Sequence, residues 1–133
     1  MQKLLTIFTL LFSTVMFSST SFAEWKIVTL SKDEFMQNKF IFYVDFERIK
    51  KVDGYVYFWN LVDYIKPGKY GDLSEKSYNQ GDCKLFRVKV LSGSFHKERT
   101  GRGTGSDGKI TGKWKYPSPN SVSEILLNSV CSR

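Results

Sequence analysis

Tyr55 to Tyr64 reads YVYFWNLVDY. Aromatic and β-branched side chains fill the stretch and neither glycine nor proline interrupts it, which is the composition of a pleated strand. Both of its faces are apolar, so it is expected to be a central strand packed on both sides. Asp53-Gly54 before it is a strong turn signal, and Glu47 to Lys51 reads as a short connector. Lys39 to Phe46, KFIFYVDF, is a second strand of the same chemistry. Trp25 to Leu30 alternates as a first strand, broken by Ser31 to Glu34.

On the far side, Lys66 to Gly71 is a loop. Leu73 to Gln80 is polar and weakly patterned, the profile of an edge strand. In Cys83 to Phe95, the residues Phe86, Val88 and Val90 share one face and Arg87 and Lys89 the other. Gly101 to Gly108 holds four glycines and reads as a flexible, hairpin-like connection. Ile110 to Tyr116 is expected as a last strand, with Ile110, Trp114 and Tyr116 opposite Lys113 and Lys115. Pro117 to Asn120 then stops the sheet. Ser121, with Glu124 three residues on, forms a capping box. Val122, Ile125, Leu126 and Val130 recur at helical spacing and end near Cys131. The fold class is therefore α+β: one antiparallel sheet with a C-terminal helix docked on it.

The start of the chain has another purpose. Met1-Gln2-Lys3 is positive, Leu4 to Phe17 is almost wholly apolar, and Ser21-Phe22-Ala23 has small residues at a cleavage spacing. Residues 1–23 are thus expected to be a cleavable signal peptide. The apolar run is short of the ~20 residues that span a bilayer. The mature chain, 24–133, is one domain's worth with no transmembrane segment. Its only cysteines, Cys83 and Cys131, form an even pair in an oxidising compartment and read as a disulfide. Closing that loop is worth about 4 kcal/mol in the chain-entropy model.

The formal charge is +7, and the excess is local. Lys84 to Lys115 carries Lys84, Arg87, Lys89, Lys97, Arg99, Arg102, Lys109, Lys113 and Lys115 against Glu98 and Asp107. Arg87, Lys89, Lys113 and Lys115 on strand faces, with Lys97, Arg99 and Arg102 in a loop, are the candidate binding surface. Its expected partners are acidic glycans, lipopolysaccharide or acidic extracellular proteins; export argues against nucleic acid. The competing reading is a solvated face whose lysines guard strand edges.

No motif points to catalysis, a metal or a cofactor. Gly103 to Gly108 fits GxGxxG by letter, but a strand is expected after it where a dinucleotide site needs a helix. His96 is the only imidazole and is expected at the surface beside Ser92, Ser94 and Glu98, without the spacing of a triad. Asp45 and Asp63 read as turn and hydrogen-bonding residues. Tyr55, Tyr57, Trp59, Tyr64 and Trp114 are expected in the core and its rim, with a ligand groove as the alternative.

The order of these elements resembles a known family. Tyr43-Val44-Asp45, Ile49-Lys50-Lys51, Val56-Tyr57-Phe58-Trp59 and Asp63-Tyr64 fall in one segment, followed by Asp82-Cys83. A Trp114, Pro117, Pro119-Asn120-Ser121 stretch then leads into a helix ending Val130-Cys131. The set, from Trp25 to Cys131, is similar to the bacterial surface-adhesin protein E family. The resemblance implies a strongly bent sheet of about six strands, with the helix on its concave side held by the disulfide. It also implies host partners such as vitronectin and laminin, and a homodimer. Lipid-anchored members carry cysteine after the cleavage site, whereas Glu24 stands here, so a soluble periplasmic or released protein is expected. The function expected is a non-enzymatic envelope binding module. The alternative is a structural or assembly component acting through a homodimer or a strand edge.

Overall fold

The structure, a computed structural model, describes residues 23–133. The expected signal peptide thus lies outside the described residues, apart from Ala23. The strands are β1 (Trp25–Asp33), β2 (Asn38–Asp45), β3 (Lys50–Val52), β4 (Tyr55–Tyr64), β5 (Ser74–Asp82), β6 (Arg87–His96) and β7 (Gly105–Asp107), followed by the helix α1 (Val122–Cys131). They form one antiparallel sheet in the order β1-β2-β4-β5-β6-β7, with β3 beside β4. The YVYFWNLVDY stretch is the central strand. β3 pairs with its first half and β2 with its second half, while β5 runs along its other side.

Strand alternation sends Val56 and Phe58 of β4 to the helix side. There they join Val44, Leu127 and Val130 in the buried core. Val28 of β1 and Val88 of β6 both pack on that cluster. On a flat sheet these two strands would lie about 19 Å apart, four spacings of ~4.8 Å. They can share one cluster because the sheet curls around the helix. Gly81 of β5 lies beneath α1: a Cβ there would stand 3.0 Å from Leu127 Cδ1 and 2.7 Å from Val56 Cγ1. The helix begins as its sequence dictates, with the Ser121 side chain accepting from the Glu124 N–H at 3.2 Å and Glu124 accepting from the Asn120 N–H at 3.3 Å. It ends at the Cys83–Cys131 disulfide, whose Cα atoms are 5.7 Å apart.

Several elements depart from the sequence reading. β1 continues through Ser31 to Asp33, because every residue from Thr29 to Asp33 finds a partner on β2. The connector before Asp53 contains a 3-10 turn at Phe46–Arg48 and then β3, which completes a hairpin with β4. The polar segment expected at an edge is β5, an internal strand paired on both sides. Its polar side chains are satisfied locally, so it needs little hydrophobicity: the Asn79 amide donates to Asn60 Oδ1 at 2.7 Å and to the Ser77 carbonyl at 3.2 Å. β6 begins at Arg87, after a turn that holds Phe86 at a φ of 53°.

The glycine-rich connection contains a 3-10 turn at Arg99–Gly101 and the short β7. Ile110 to Tyr116 is not a strand. Gly112 adopts a φ of +63°, and among the described residues the segment makes one backbone pair with the sheet, Val88–Lys115. On α1, Leu127 is buried and Ile125 is exposed. The docking face is turned toward the hollow at Gly81 rather than centred on Ile125.

Candidate binding surface

The face of the sheet opposite α1 is mostly side chains of alternate residues. From β4 it receives Tyr55, Tyr57 and Trp59, and from β5 it receives Tyr78, Gln80 and Asp82, each registered opposite its neighbour. The Trp59 and Tyr78 rings lie 4.9 Å apart between centroids, and Tyr57 lies 6.3 Å from Tyr78. Tyr55 stacks on Trp114 at 5.9 Å. All of these rings are half-buried, forming an open aromatic ladder. Tyr64 turns to the helix side, where its hydroxyl donates to Glu75 at 2.5 Å. Burial and that bond push its ionisation above the ordinary tyrosine value.

Two of the expected basic residues converge on this ladder. The Arg87 guanidinium lies 4.2 Å from the Trp114 ring centroid and the Lys89 ammonium 4.5 Å from it. Arg87 also pairs with Asp82 at 3.0 Å. The Leu85 N–H, 3.0 Å away, holds the Asp82 carboxyl below the usual aspartate value against the opposing effect of burial; Arg87 and the Lys84 N–H add to it. Lys89 has no carboxylate within ion-pair distance among the described residues. Its ammonium rests over the ring.

The other five lie elsewhere. Lys97 is tied to Asp72 at 3.1 Å and to the Tyr70 carbonyl at 2.7 Å. Arg99 donates to the Ile65 carbonyl at 2.8 Å, and Arg102 to the Thr100 hydroxyl at 3.1 Å. These three belong to the loop beyond β6. Lys115 pairs with Val88, which points to the helix side, so Lys113 and Lys115 border a cleft on that side. The seven residues do not form a single patch, because the sheet itself separates Arg87 and Lys89 from Lys113 and Lys115.

The loop after β6 folds back over the lower part of the open face and buries polar groups. The Thr100 N–H donates to Asp63 at 2.7 Å, and Asp45 accepts from the Glu47 N–H at 3.2 Å. Both carboxylates thus act as hydrogen-bonding anchors, as expected. The Ser74 hydroxyl donates to the Glu98 carbonyl at 2.5 Å and accepts from the Gly101 N–H at 3.0 Å. His96, expected at the surface, is buried, because Gly105 of β7 closes over its ring. Its Nε2 meets the Ser94 hydroxyl at 2.7 Å, while Nδ1 has no hydrogen-bond partner. A nucleophile–histidine–acid relay needs a carboxylate at that nitrogen.

Tyr78 was absent from the sequence reading. Its signal was alternation within a segment too polar to be read as an internal strand. The cleft beside Lys113 and Lys115 had no linear signal, since its lining comes from distant stretches of the chain.

Comparison with solved structures gives the same architecture. Crystal form II of Haemophilus influenzae protein E matches with a TM-score of 0.58 and 19% identity, covering 68% of this chain and 80% of that one. The selenomethionine form of Haemophilus influenzae protein E matches with a TM-score of 0.57 and 18% identity, covering 77% of this chain and 85% of that one. No curated protein matches in sequence. The model of the surface-adhesin protein E family matches residues 27–132, nearly all of the folded chain, so the protein belongs to the surface-adhesin protein E family.

Proposed function

We propose that this chain is an exported, non-enzymatic binding module of the cell envelope that captures acidic glycans on its open sheet face. The supporting observation is the convergence of Arg87 and Lys89 on Trp114 at the end of the Tyr55–Tyr57–Trp59–Tyr78 ladder. Aromatic faces offer flat apolar platforms to sugar rings, and the two cations attract their acid groups. A charge-driven contact of this kind weakens steeply as salt rises.

Heparin chromatography of the oxidised protein tests the proposal. The parent is expected to be retained above physiological salt. Arg87→Glu with Lys89→Glu should elute near the void, and Trp59→Ala should elute early without losing the salt dependence. Equal retention of the double variant and the parent would move the site off this face.

A second reading, assembly through a second copy, rests on β1. This long edge strand exposes Ile27 and Leu30, and the turn after it exposes Phe35, with 97% of its surface accessible, and Met36. Exposed apolar edges favour strand pairing. Sedimentation of the parent beside Leu30→Asp distinguishes this reading: a concentration-dependent dimer lost in the variant supports it.

A further inference from the structure

On the helix side, a cavity of about 600 Å³ opens between β6, α1 and residues 108–118. Small-molecule sites commonly occupy roughly 300–1,000 Å³. Phe58 and Leu127 lie beneath it, almost wholly buried; Val88, Val90 and Leu126 offer it half-exposed apolar surface beside the polar Asn60 and Ser77, while the exposed Lys109, Lys113 and Lys115 line its border. The strap carrying these lysines is tied to the sheet at its ends. Gly108 donates to the Gly93 carbonyl at 2.8 Å, and Lys115 exchanges two bonds of 2.9 Å with Val88. Among the described residues, no backbone bond joins positions 109–114 to the sheet.

Charge and polarity select one kind of occupant. The only carboxylate on the described lining is Glu75, already engaged by the Tyr64 hydroxyl. Glu75 pairs with Phe95, whereas Lys115 pairs with Val88. The acid and the lysine therefore sit at opposite ends of β6, roughly 20 Å apart at ~3.4 Å per residue. A peptide laid against Val88, Val90 and Leu126 would set its backbone N–H and C=O groups on side chains that offer them no partner, and unpaired groups there are costly. An acyl chain makes no such demand.

We infer that this cavity binds one long-chain fatty acid, with its chain along Val88, Val90 and Leu126 and its carboxylate between Lys113 and Lys115. Calorimetric titration of the oxidised protein with laurate, myristate and palmitate tests this. Affinity should rise roughly 15-fold for each two methylenes added, from ~0.8 kcal/mol per buried CH₂. Lys113→Glu with Lys115→Glu, both at exposed positions, should weaken palmitate at least tenfold without changing the melting temperature. Val90→Trp should block binding by filling the cavity. Hexadecanol, which lacks the carboxylate, should bind the parent and the lysine variant equally.

Absence of palmitate binding in the parent, affinity independent of chain length, or a lysine variant equal to the parent would each overturn the inference. Trp59→Ala lies across the sheet, packed on Tyr78 and away from residues 108–118, and should leave palmitate unaffected. Loss in that variant would place the fatty acid on the open face instead and would also overturn it. The glycan and fatty-acid sites thus fail independently.

Discussion

Replacing Gly81 by alanine should destabilise this domain, against the expectation from local propensity. Glycine within a strand costs ~0.5–1 kcal/mol relative to alanine, so at an open strand position the exchange is favourable. At Gly81 the new methyl would stand 2.7 Å from Val56 Cγ1, 3.0 Å from Leu127 Cδ1 and 3.4 Å from Phe58 Cε1. Carbon pairs prefer ~3.5–4.0 Å, so the two nearest contacts are too short by roughly half an ångström or more. None of the neighbours can swing into solvent, since Val56, Leu127 and Phe58 are exposed by 2%, 1% and 2%. Overpacking of this kind costs about 1–3 kcal/mol. After the backbone gain, a net loss of ~1–2 kcal/mol remains. With an m-value of ~1–3 kcal/mol/M, the urea midpoint should fall by roughly 0.5–1 M. Leu127→Ala alone should also destabilise, but the double variant should lose less than the sum, because the truncated leucine makes room for the methyl. An unchanged or raised midpoint in Gly81→Ala, or strict additivity in the pair, would refute the seating of α1 on this glycine.

Reduction of Cys83–Cys131, which closes a separation of 48 residues, should cost about 4 kcal/mol and lower the thermal midpoint by ~20 °C, measured by melting with and without reductant. Ser121→Ala removes the acceptor of the Glu124 N–H and should cost about 1 kcal/mol, read from the denaturant midpoint. The Asp82 carboxyl is held below its ordinary value chiefly by the Leu85 N–H, with help from Arg87. Its contribution to stability is therefore complete above the unfolded aspartate value and is lost as pH falls through the lower folded one. Urea midpoints between pH 5 and pH 2 should drop less steeply for Asp82→Asn than for the parent.

Elements with strong local chemistry were readable in advance. YVYFWNLVDY forms a strand with the expected bounds, and Ser121 caps a helix that ends at Cys131. β5 was misplaced because a polar segment reads as an edge, whereas Asn79 finds partners on β4 and within its own strand. Ile110 to Tyr116 alternates like a strand, yet makes one bridge, because alternation alone does not supply a partner. His96 carries no linear sign of burial; β7 covers it through pairing that begins only at Gly105. The basic residues were legible as a group, but their division between two faces was not.

From the order of residues alone came the five long strands, the capped helix, the cysteine pair and the family likeness, since each depends on neighbours or on composition. Tertiary structure decided which face each side chain joins. The curl of the sheet brings Val28 and Val88 to one core, and the Val88–Lys115 bridge sets Trp114 against Arg87 and Lys89 beside a lysine-bordered cavity on the other side. Those outcomes depend on contacts between residues far apart in the chain, and strand register, which a one-residue slip would invert, is set by the whole fold.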